Sequence, residues 1–80
     1  MTRNDIYQKL NGIFQDIFDD DSIMVNDDTT ADDIDDWDSL SHISLIAAIE
    51  DEFSIKFDMK TVFRMKNVGE MVSIISEMIS

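Results

Sequence analysis

Residues 38–53 read DSLSHISLIAAIEDEF, and this stretch decides the fold because it has the pattern of one amphipathic helix. Asp38 can act as its N-cap, since a carboxylate oxygen accepts a hydrogen bond from a backbone amide of the first turn. Four apolar residues then recur at steps of one, three and four, within about a third of the helical circumference: Leu45, Ile46, Ile49 and Phe53. Glu50 and Asp51 lie on the opposite side. The pattern predicts a helix from about Ser39 to Phe53 with one buried face.

Three further apolar residues fall on the charged side of this helix: Leu40, Ile43 and Ala47. Apolar groups between carboxylates on an exposed helix face are typical of a surface that binds another protein. The alternative is a central helix that is buried nearly all round. The pattern favours the binding surface, and the alternative of a buried helix stays open.

Two more substantial helices are predicted, one on each side of this stretch. Near the N-terminus, six apolar residues recur at helical steps: Ile6, Leu10, Ile13, Phe14, Ile17 and Phe18. This helix should end near Phe18, because the aspartates from Asp19 onward would lie at the negative end of its dipole. The last helix should begin at Asn67, whose side chain can cap it while Glu70 reaches back. Its apolar stripe is Val68, Met71, Val72, Ile75, Met78 and Ile79.

The connection between the first two of these helices, residues 19–37, has no sustained period. A structureless connection of this length is unusual inside a small domain, so we interpret it as an ordered crossover loop. Ile23, Val25 and Ile34 can pack it against the core. With a short helix from about Met59 to Arg64, the sequence predicts an all-α fold. This fold is a small bundle of three main helices and one short helix, with a long ordered loop between the first two main helices.

Composition bounds the kind of protein. The 80 residues are expected to form one domain, residues 1–80, because a chain of this length holds a single small core. The formal net charge is −12, and no Lys or Arg lies between Lys9 and Lys56. Such a charge disfavours contact with nucleic acid and favours a positively charged partner. There is no Cys, which fits the cytoplasm, and no apolar stretch has membrane-span length.

Ser39 is the candidate modification site. It lies at the start of the second helix, after an acidic loop, so its hydroxyl is expected at the tip of the bundle. The free backbone amides of a first helical turn, and the positive end of the helix dipole, favour a phosphate group. A phosphodiester on Ser39 would therefore be stabilised by the helix.

Three consecutive segments resemble the acyl carrier protein family: Asp38-Ser39-Leu40, then Ile43-Ser44-Leu45-Ile46-Ala47-Ala48-Ile49, then Glu50-Asp51-Glu52-Phe53-Ser54-Ile55. The family typically shows Asp-Ser-Leu, an apolar helix, a run of acids and then Phe-x-Ile. The resemblance covers the whole chain in length, helix order and acidity. It implies a carrier that performs no catalysis and holds acyl or related intermediates as thioesters on a phosphopantetheine arm.

The resemblance also implies roles for individual residues. Ser39 would carry the arm, which comes from coenzyme A. The surface that partner enzymes bind would comprise Asp38, Leu40, Ile43, Ala47, Glu50 and Asp51. The interior that shelters an acyl chain would be lined by Leu45, Ile46, Ile49 and Phe53. The implied partners are a phosphopantetheinyl transferase and acyl-loading and acyl-processing enzymes with basic docking surfaces. A cytoplasmic monomer that uses no metal, nucleic acid or membrane is expected.

Two departures from the family pattern bear on the pathway. The family commonly has a Gly just before Asp-Ser-Leu, where this chain has Asp35-Asp36-Trp37 and is one residue longer. Ser41 and Ser44 stand at positions that are often acidic in fatty acid synthase carriers. These differences favour a specialised acyl, aminoacyl or polyketide-type pathway over housekeeping fatty acid synthesis.

Catalysis by the chain itself is the weakest alternative. Ser39, His42 and Asp38 are the residue types of a hydrolase triad, but nothing supplies an oxyanion hole, and so small a chain cannot enclose a substrate. His42 is therefore interpreted as a residue at the helix edge. Trp37 would either pack the loop against the bundle or contact the arm.

A calcium site is the second alternative. Residues 27–38 have the length of an EF-hand loop, with Ile34 at its eighth position. Its fifth position is Ala31, however, and its sixth is Asp32, where the sharp turn needs Gly. The remaining alternative functions are weak divalent-cation binding without a defined site, and an acidic helical interaction module without covalent modification.

Overall fold

The computed structural model describes residues 1–79, which form four α-helices. They are α1 (Arg3–Ile17), α2 (Ser39–Phe53), α3 (Met59–Arg64) and α4 (Val68–Ile79). The described residues contain no β-strand. The predicted all-α fold of three main helices and one short helix is confirmed, and α2 and α3 have the predicted bounds.

The core is built from the apolar stripes of the three long helices. Its largest fully buried side chains are Phe14, Ile6, Leu10, Leu45, Ile49, Met71, Ile75, Val68 and Val72. Burying each such side chain contributes about 1.5–3 kcal/mol, so this core supplies the main driving force for folding. The short helix α3 contributes one buried residue, Val62, and therefore lies at the edge of the bundle.

Side chains cap the helix starts. In α1, Thr2 Oγ1 accepts a hydrogen bond from the amide of Asp5 (3.2 Å), and Asp5 Oδ2 accepts one from the amide of Thr2 (3.1 Å). At α4, Asn67 Oδ1 accepts from the amide of Glu70 at 2.8 Å, as predicted. The return bond was expected at the amide of the cap residue, Asn67. Glu70 Oε2 instead accepts from the amide of the residue before Asn67, Lys66, at 2.9 Å.

Two helices end in the same way, on a residue in the left-handed region. Asp19 has φ 50° just after α1, and Ser54 has φ 55° just after α2. In both turns, the amide of the next residue bonds back five positions, from Asp20 to the Gln15 carbonyl at 3.0 Å and from Ile55 to the Glu50 carbonyl at 3.1 Å. This arrangement satisfies carbonyl groups that the helix leaves free. The prediction that α1 ends near Phe18 is confirmed.

The long connection, residues 18–38, is ordered by hydrogen bonds to α1 and to the start of α4. The amide of Val25 donates to Asn11 Oδ1 of α1 at 2.7 Å, and Val25 itself is buried. The first amides of α4, from Val68 and Gly69, donate to the loop carbonyls of Thr29 (2.8 Å) and Asp27 (3.1 Å). A short 3-10 turn, Ala31–Asp33, was not expected from the sequence. The predicted ordered crossover loop is confirmed.

Asp27 also connects the loop to the start of α1. Its carboxylate accepts a hydrogen bond from the Tyr7 hydroxyl and forms a 2.7 Å ion pair with Arg3. The hydrogen bonds from Tyr7 and Arg3 hold the pKa of Asp27 below its ordinary value. Burial, together with the bond to Asp27, raises the pKa of Tyr7 to about 12.

None of the helices in residues 1–79 has both the length and the apolar character needed to cross a bilayer.

Candidate functional site

Ser39 is the first residue of α2 and is exposed to solvent. Its side chain makes no hydrogen bond to any other residue in the described part of the chain. Ser39 directly follows the crossover loop and lies at one end of the bundle, beside α3. A hydroxyl group in this position is accessible to an enzyme.

The neighbouring serine, Ser41, is engaged in the helix start. Its amide donates to Asp38 Oδ1 at 2.9 Å, and its Oγ accepts from the amide of Asp38 at 2.7 Å. Its hydroxyl also lies 2.9 Å from the Asp36 carbonyl oxygen. The bonds from the Ser41 amide and hydroxyl lower the pKa of Asp38. Asp38 was predicted as the N-cap, but the return bond was not, because a Ser three residues later makes it in place of the usual Glu or Gln.

Trp37, just before the cap, is buried against α1. Its ring meets Phe14 edge-on with centroids 5.2 Å apart, and its exposed fraction is 8%. Its Nε1 donates a hydrogen bond to His42 Nδ1 at 3.1 Å. The interpretation of Trp37 as a residue that packs the loop onto the bundle is confirmed, and it replaces the expected Gly with a large buried side chain.

His42 does more than lie at the helix edge. Its Nε2 is 2.9 Å from the carbonyl oxygen of Val62 in α3, so its ring connects Trp37, α2 and α3. The sequence held one signal for the bond between Trp37 and His42, because the indole N–H of a buried Trp needs an acceptor. The partner in α3 is twenty residues away and had no signal in the sequence.

A surface cleft of about 310 Å³ adjoins Ser39. Its walls come from the crossover loop, the start of α2, α3 and the residues just after α3, and they include Trp37, His42, Val62, Phe63, Met65 and Lys66. This cleft is one place next to the hydroxyl where a flexible group attached to Ser39 has room to lie. Its wall combines apolar side chains with the polar groups of Asp38, His42 and Lys66.

The expected partner-binding surface lies on the outer side of α2. Leu40 is 82% exposed and Ile43 is 45% exposed, while Asp38, Ala47 and Asp51 are also exposed. The alternative of a helix buried nearly all round is therefore wrong. Glu50 differs from the other members of the set, because it is half-buried and its Oε2 accepts a hydrogen bond from the amide of Phe57 at 2.8 Å.

The four residues expected to line an acyl-binding interior share the inner face of α2. Leu45 and Ile49 are fully buried, Ile46 is 5% exposed and Phe53 is 9% exposed. They belong to the same core as the buried residues of α1 and α4. The buried position of this face, as predicted from its spacing, is confirmed.

The loop acids do not converge on a metal site. No group of three or more His, Cys, Asp or Glu side chains in residues 1–79 is placed to hold an ion. In the stretch that resembles an EF-hand in length, Asp27 pairs with Arg3, and Asp33 accepts from the amide of Thr30 at 2.9 Å. These acids serve local structure.

A protein-family model described as a phosphopantetheine attachment site matches residues 8–75. The chain belongs to the acyl carrier protein family. A similar solved structure is the solution NMR structure of holo acyl carrier protein from Geobacter metallireducens. The two chains share 42% sequence identity, and their match has a TM-score of 0.84. The match covers 90% of the present chain and 83% of the Geobacter chain. Among curated proteins there is no significant match.

As an acyl carrier protein, the chain has phosphopantetheine as its prosthetic group, and its general partners are the transferase that attaches this group and enzymes that process acyl groups. The residues at the start of α2 fit such a group, since Ser39 offers an exposed hydroxyl with an adjoining cleft.

Proposed function

We propose that Ser39 is the residue of this carrier to which phosphopantetheine is attached. The proposal rests on the contrast between two serines in the same helical turn. The Ser39 hydroxyl is exposed and makes no hydrogen bond within residues 1–79, whereas the Ser41 hydroxyl is held by Asp36 and Asp38. An attacking hydroxyl must be accessible and free to lose its proton, and Ser39 meets both needs.

The surroundings of Ser39 also suit the product. A phosphodiester there would lie at the N-terminal end of α2, where backbone amides and the positive end of the dipole stabilise negative charge. When attached, the arm supplies a thiol that holds cargo as a thioester. The protein's own residues hold the attachment point in place and present a binding surface around it, and we propose that they perform no catalysis.

We propose that partner enzymes recognise the outer face of α2. The exposed carboxylates of Asp38 and Asp51 attract a basic surface, and Leu40, Ile43 and Ala47 supply apolar contact. Glu50 adds charge to this face while also fixing the turn after α2 through its bond to the Phe57 amide. Charge of one sign on the carrier accelerates the encounter with an oppositely charged enzyme, so many transient partners can share the same surface.

We propose that the cargo is an acyl or related intermediate of fatty acid or lipid synthesis or of a specialised acyl or polyketide-type pathway. The specialised pathway is favoured because Ser41 and Ser44 reduce the acidity of α2 relative to fatty acid synthase carriers. Leu45, Ile46, Ile49 and Phe53 would line the interior if an acyl chain enters the bundle. The chain is proposed to act as one domain, residues 1–80, and as a cytoplasmic monomer.

The attachment is tested by incubating the unmodified protein with coenzyme A and a phosphopantetheinyl transferase. Wild-type protein should gain the mass of one arm, and Ser39→Ala should gain none while keeping its helical spectrum. Ser44→Ala is the matched control, because Ser44 is also exposed on α2 but lies five residues further along. Full modification of Ser39→Ala, or none of the wild type, would refute the proposal.

A further inference from the structure

The basic residues of this acidic chain are concentrated in and around α3. Of the 6 Lys and Arg residues, four lie within residues 56–66: Lys56, Lys60, Arg64 and Lys66. The acids expected to bind partners lie on the neighbouring helix, α2. The outer face of α2, which begins at Ser39, and the region of α3 therefore carry charges of opposite sign.

The outer face of α3 is apolar as well as basic. Met59 is 64% exposed and Phe63 is 60% exposed. Since an α-helix turns by about 100° per residue, Met59, Lys60 and Phe63 share one arc of α3. Val62 points into the core instead. Exposed large apolar side chains grouped in this way mark a binding surface more often than an ordinary solvated one.

This face of α3 lies next to the attachment site. Phe63 and Lys66 line the same cleft as Ser39, and Leu40 lies beside Ser39 on α2. Apolar residues from both helices thus lie close to the hydroxyl, with Leu40 on α2 and Phe63 on α3.

Two cations in and just after α3 are free to interact with a partner. Arg64 interacts electrostatically with Asp58 and lines a different groove, while Lys56 lies beside Glu50 and Asp51. Lys60 and Lys66 are exposed and form no ion pair within the described residues. In a chain with 18 acids, two unpaired lysines beside an exposed aromatic ring are unlike the rest of the surface.

We propose that the phosphopantetheinyl transferase binds across both helices, with a basic patch against Asp38 and Asp51 of α2 and an acidic patch against Lys60 and Lys66. The inference rests on the proposed attachment at Ser39. The transferase is the partner chosen because it must bring its active site to the hydroxyl itself, and so must cover both flanks. Opposite charges on the two flanks would fix its orientation, since the reversed orientation places like charges together.

The test measures kcat/KM for arm transfer from coenzyme A by the transferase of the source genome, with the carrier as the varied substrate. The variants are Lys60→Glu/Lys66→Glu, in and just after α3, and Asp51→Lys on α2. Each should lower kcat/KM about threefold to tenfold at low ionic strength, with a smaller effect at high salt. Lys9→Glu is the control, because it makes the same change of charge per lysine on α1, where Lys9 lies near Glu52 at the far end of α2.

The sign of the α3 effect decides the result. If the transferase presents only basic charge, Lys60→Glu/Lys66→Glu adds attraction and raises kcat/KM, which would overturn the proposal. An effect equal to that of Lys9→Glu, or a change confined to the KM for coenzyme A, would overturn it too. Failure of the wild type to accept the arm is a separate result, because it refutes attachment at Ser39 before any variant is compared.

Discussion

Trp37 donates a hydrogen bond from its indole Nε1 to His42 Nδ1 at 3.1 Å, and the two rings stack with centroids 5.9 Å apart. Because an indole nitrogen is only a donor, Nδ1 must be the acceptor nitrogen, and the ring proton lies on Nε2. That proton points to the carbonyl oxygen of Val62, 2.9 Å away. One imidazole ring therefore connects the loop before Ser39, the first turn of α2, and α3.

Loss of this connection should destabilise the fold. His42→Ala removes both bonds and leaves the buried indole N–H without its acceptor, so we expect the free energy of unfolding to fall by about 1–3 kcal/mol. Trp37→Phe should remove the same indole contact. In a double-mutant cycle the two changes should be coupled by about 0.5–3 kcal/mol. Denaturant unfolding followed by circular dichroism measures both quantities, and strictly additive effects would contradict the assigned contact.

The two glycines should respond in opposite ways to replacement by alanine. Gly12 lies within α1, and a Cβ there would meet nothing within 4 Å, so Gly12→Ala should stabilise the protein by about 0.5–1 kcal/mol. Gly69 faces the crossover loop, where a Cβ would lie 2.9 Å from the carbonyl oxygen of Asp27. Gly69→Ala should destabilise by about 1–3 kcal/mol, because backbone must move. Thermal melts of both variants test this, and a stabilising Gly69→Ala would mean that the loop does not pack there.

Tyr7, the only tyrosine, reports on its contact with Asp27 through its ionisation. Burial and the bond to Asp27 raise the pKa of Tyr7 from 10.0 to about 12. The folded state thus holds the proton more tightly than the unfolded state, so this stabilisation is complete below pH 10 and is lost as the pH rises toward 12. Phenolate absorbance should give a midpoint near 12 in the wild type.

Asp27→Asn is the matched variant for this titration. It should lower the pKa of Tyr7 while leaving it above 10.0, because the burial of the ring remains. On the acid side, the lowered pKa of Asp27 means that its stabilisation is present above pH 3.8 and is lost as the pH falls further. Asp27→Asn should therefore flatten the acid dependence of the melting temperature. An unchanged Tyr7 midpoint would show that the two side chains do not interact in solution.

The crowded loop acids should make stability depend on salt. The aspartates of residues 19–38 are exposed, and repulsion among them opposes the compact state at a net charge of −12. The Debye length, over which exposed charges repel each other, falls from about 30 Å at 0.01 M to about 10 Å at 0.1 M ionic strength. Added sodium chloride should raise the melting temperature, and millimolar calcium at matched ionic strength should raise it more. Calorimetric titration should detect no tight one-to-one calcium site, and such a site would restore the EF-hand hypothesis.

The features of this fold that could be predicted are those that depend on residues close together in the sequence. The stripes of α1, α2 and α4 were readable because residues three and four apart share a helix face. Asp38 and Asn67 were readable as caps because their partners lie three residues away. Ser39 was identified because its local sequence combines a cap, an apolar helix and an acidic run.

Contacts between distant segments could not be predicted in this way. The bond from His42 to the Val62 carbonyl and the ion pair of Arg3 with Asp27 each join segments more than eighteen residues apart. The half-buried position of Glu50 depends on the turn that brings the Phe57 amide back to α2. Side-chain identity alone placed Glu50 with the exposed acids. The geometry of that turn is a tertiary property, so no pattern in the sequence revealed it.

The most direct test of the account is to find the arm on the protein made by its native host. The intact mass should exceed that of the chain by one phosphopantetheine arm, with or without cargo, and peptide fragmentation should place the added mass on Ser39. The mass left on the thiol would then identify the cargo. A modified peptide with the arm on Ser41 or Ser44, or a fully functional protein that carries no arm, would contradict the central claim.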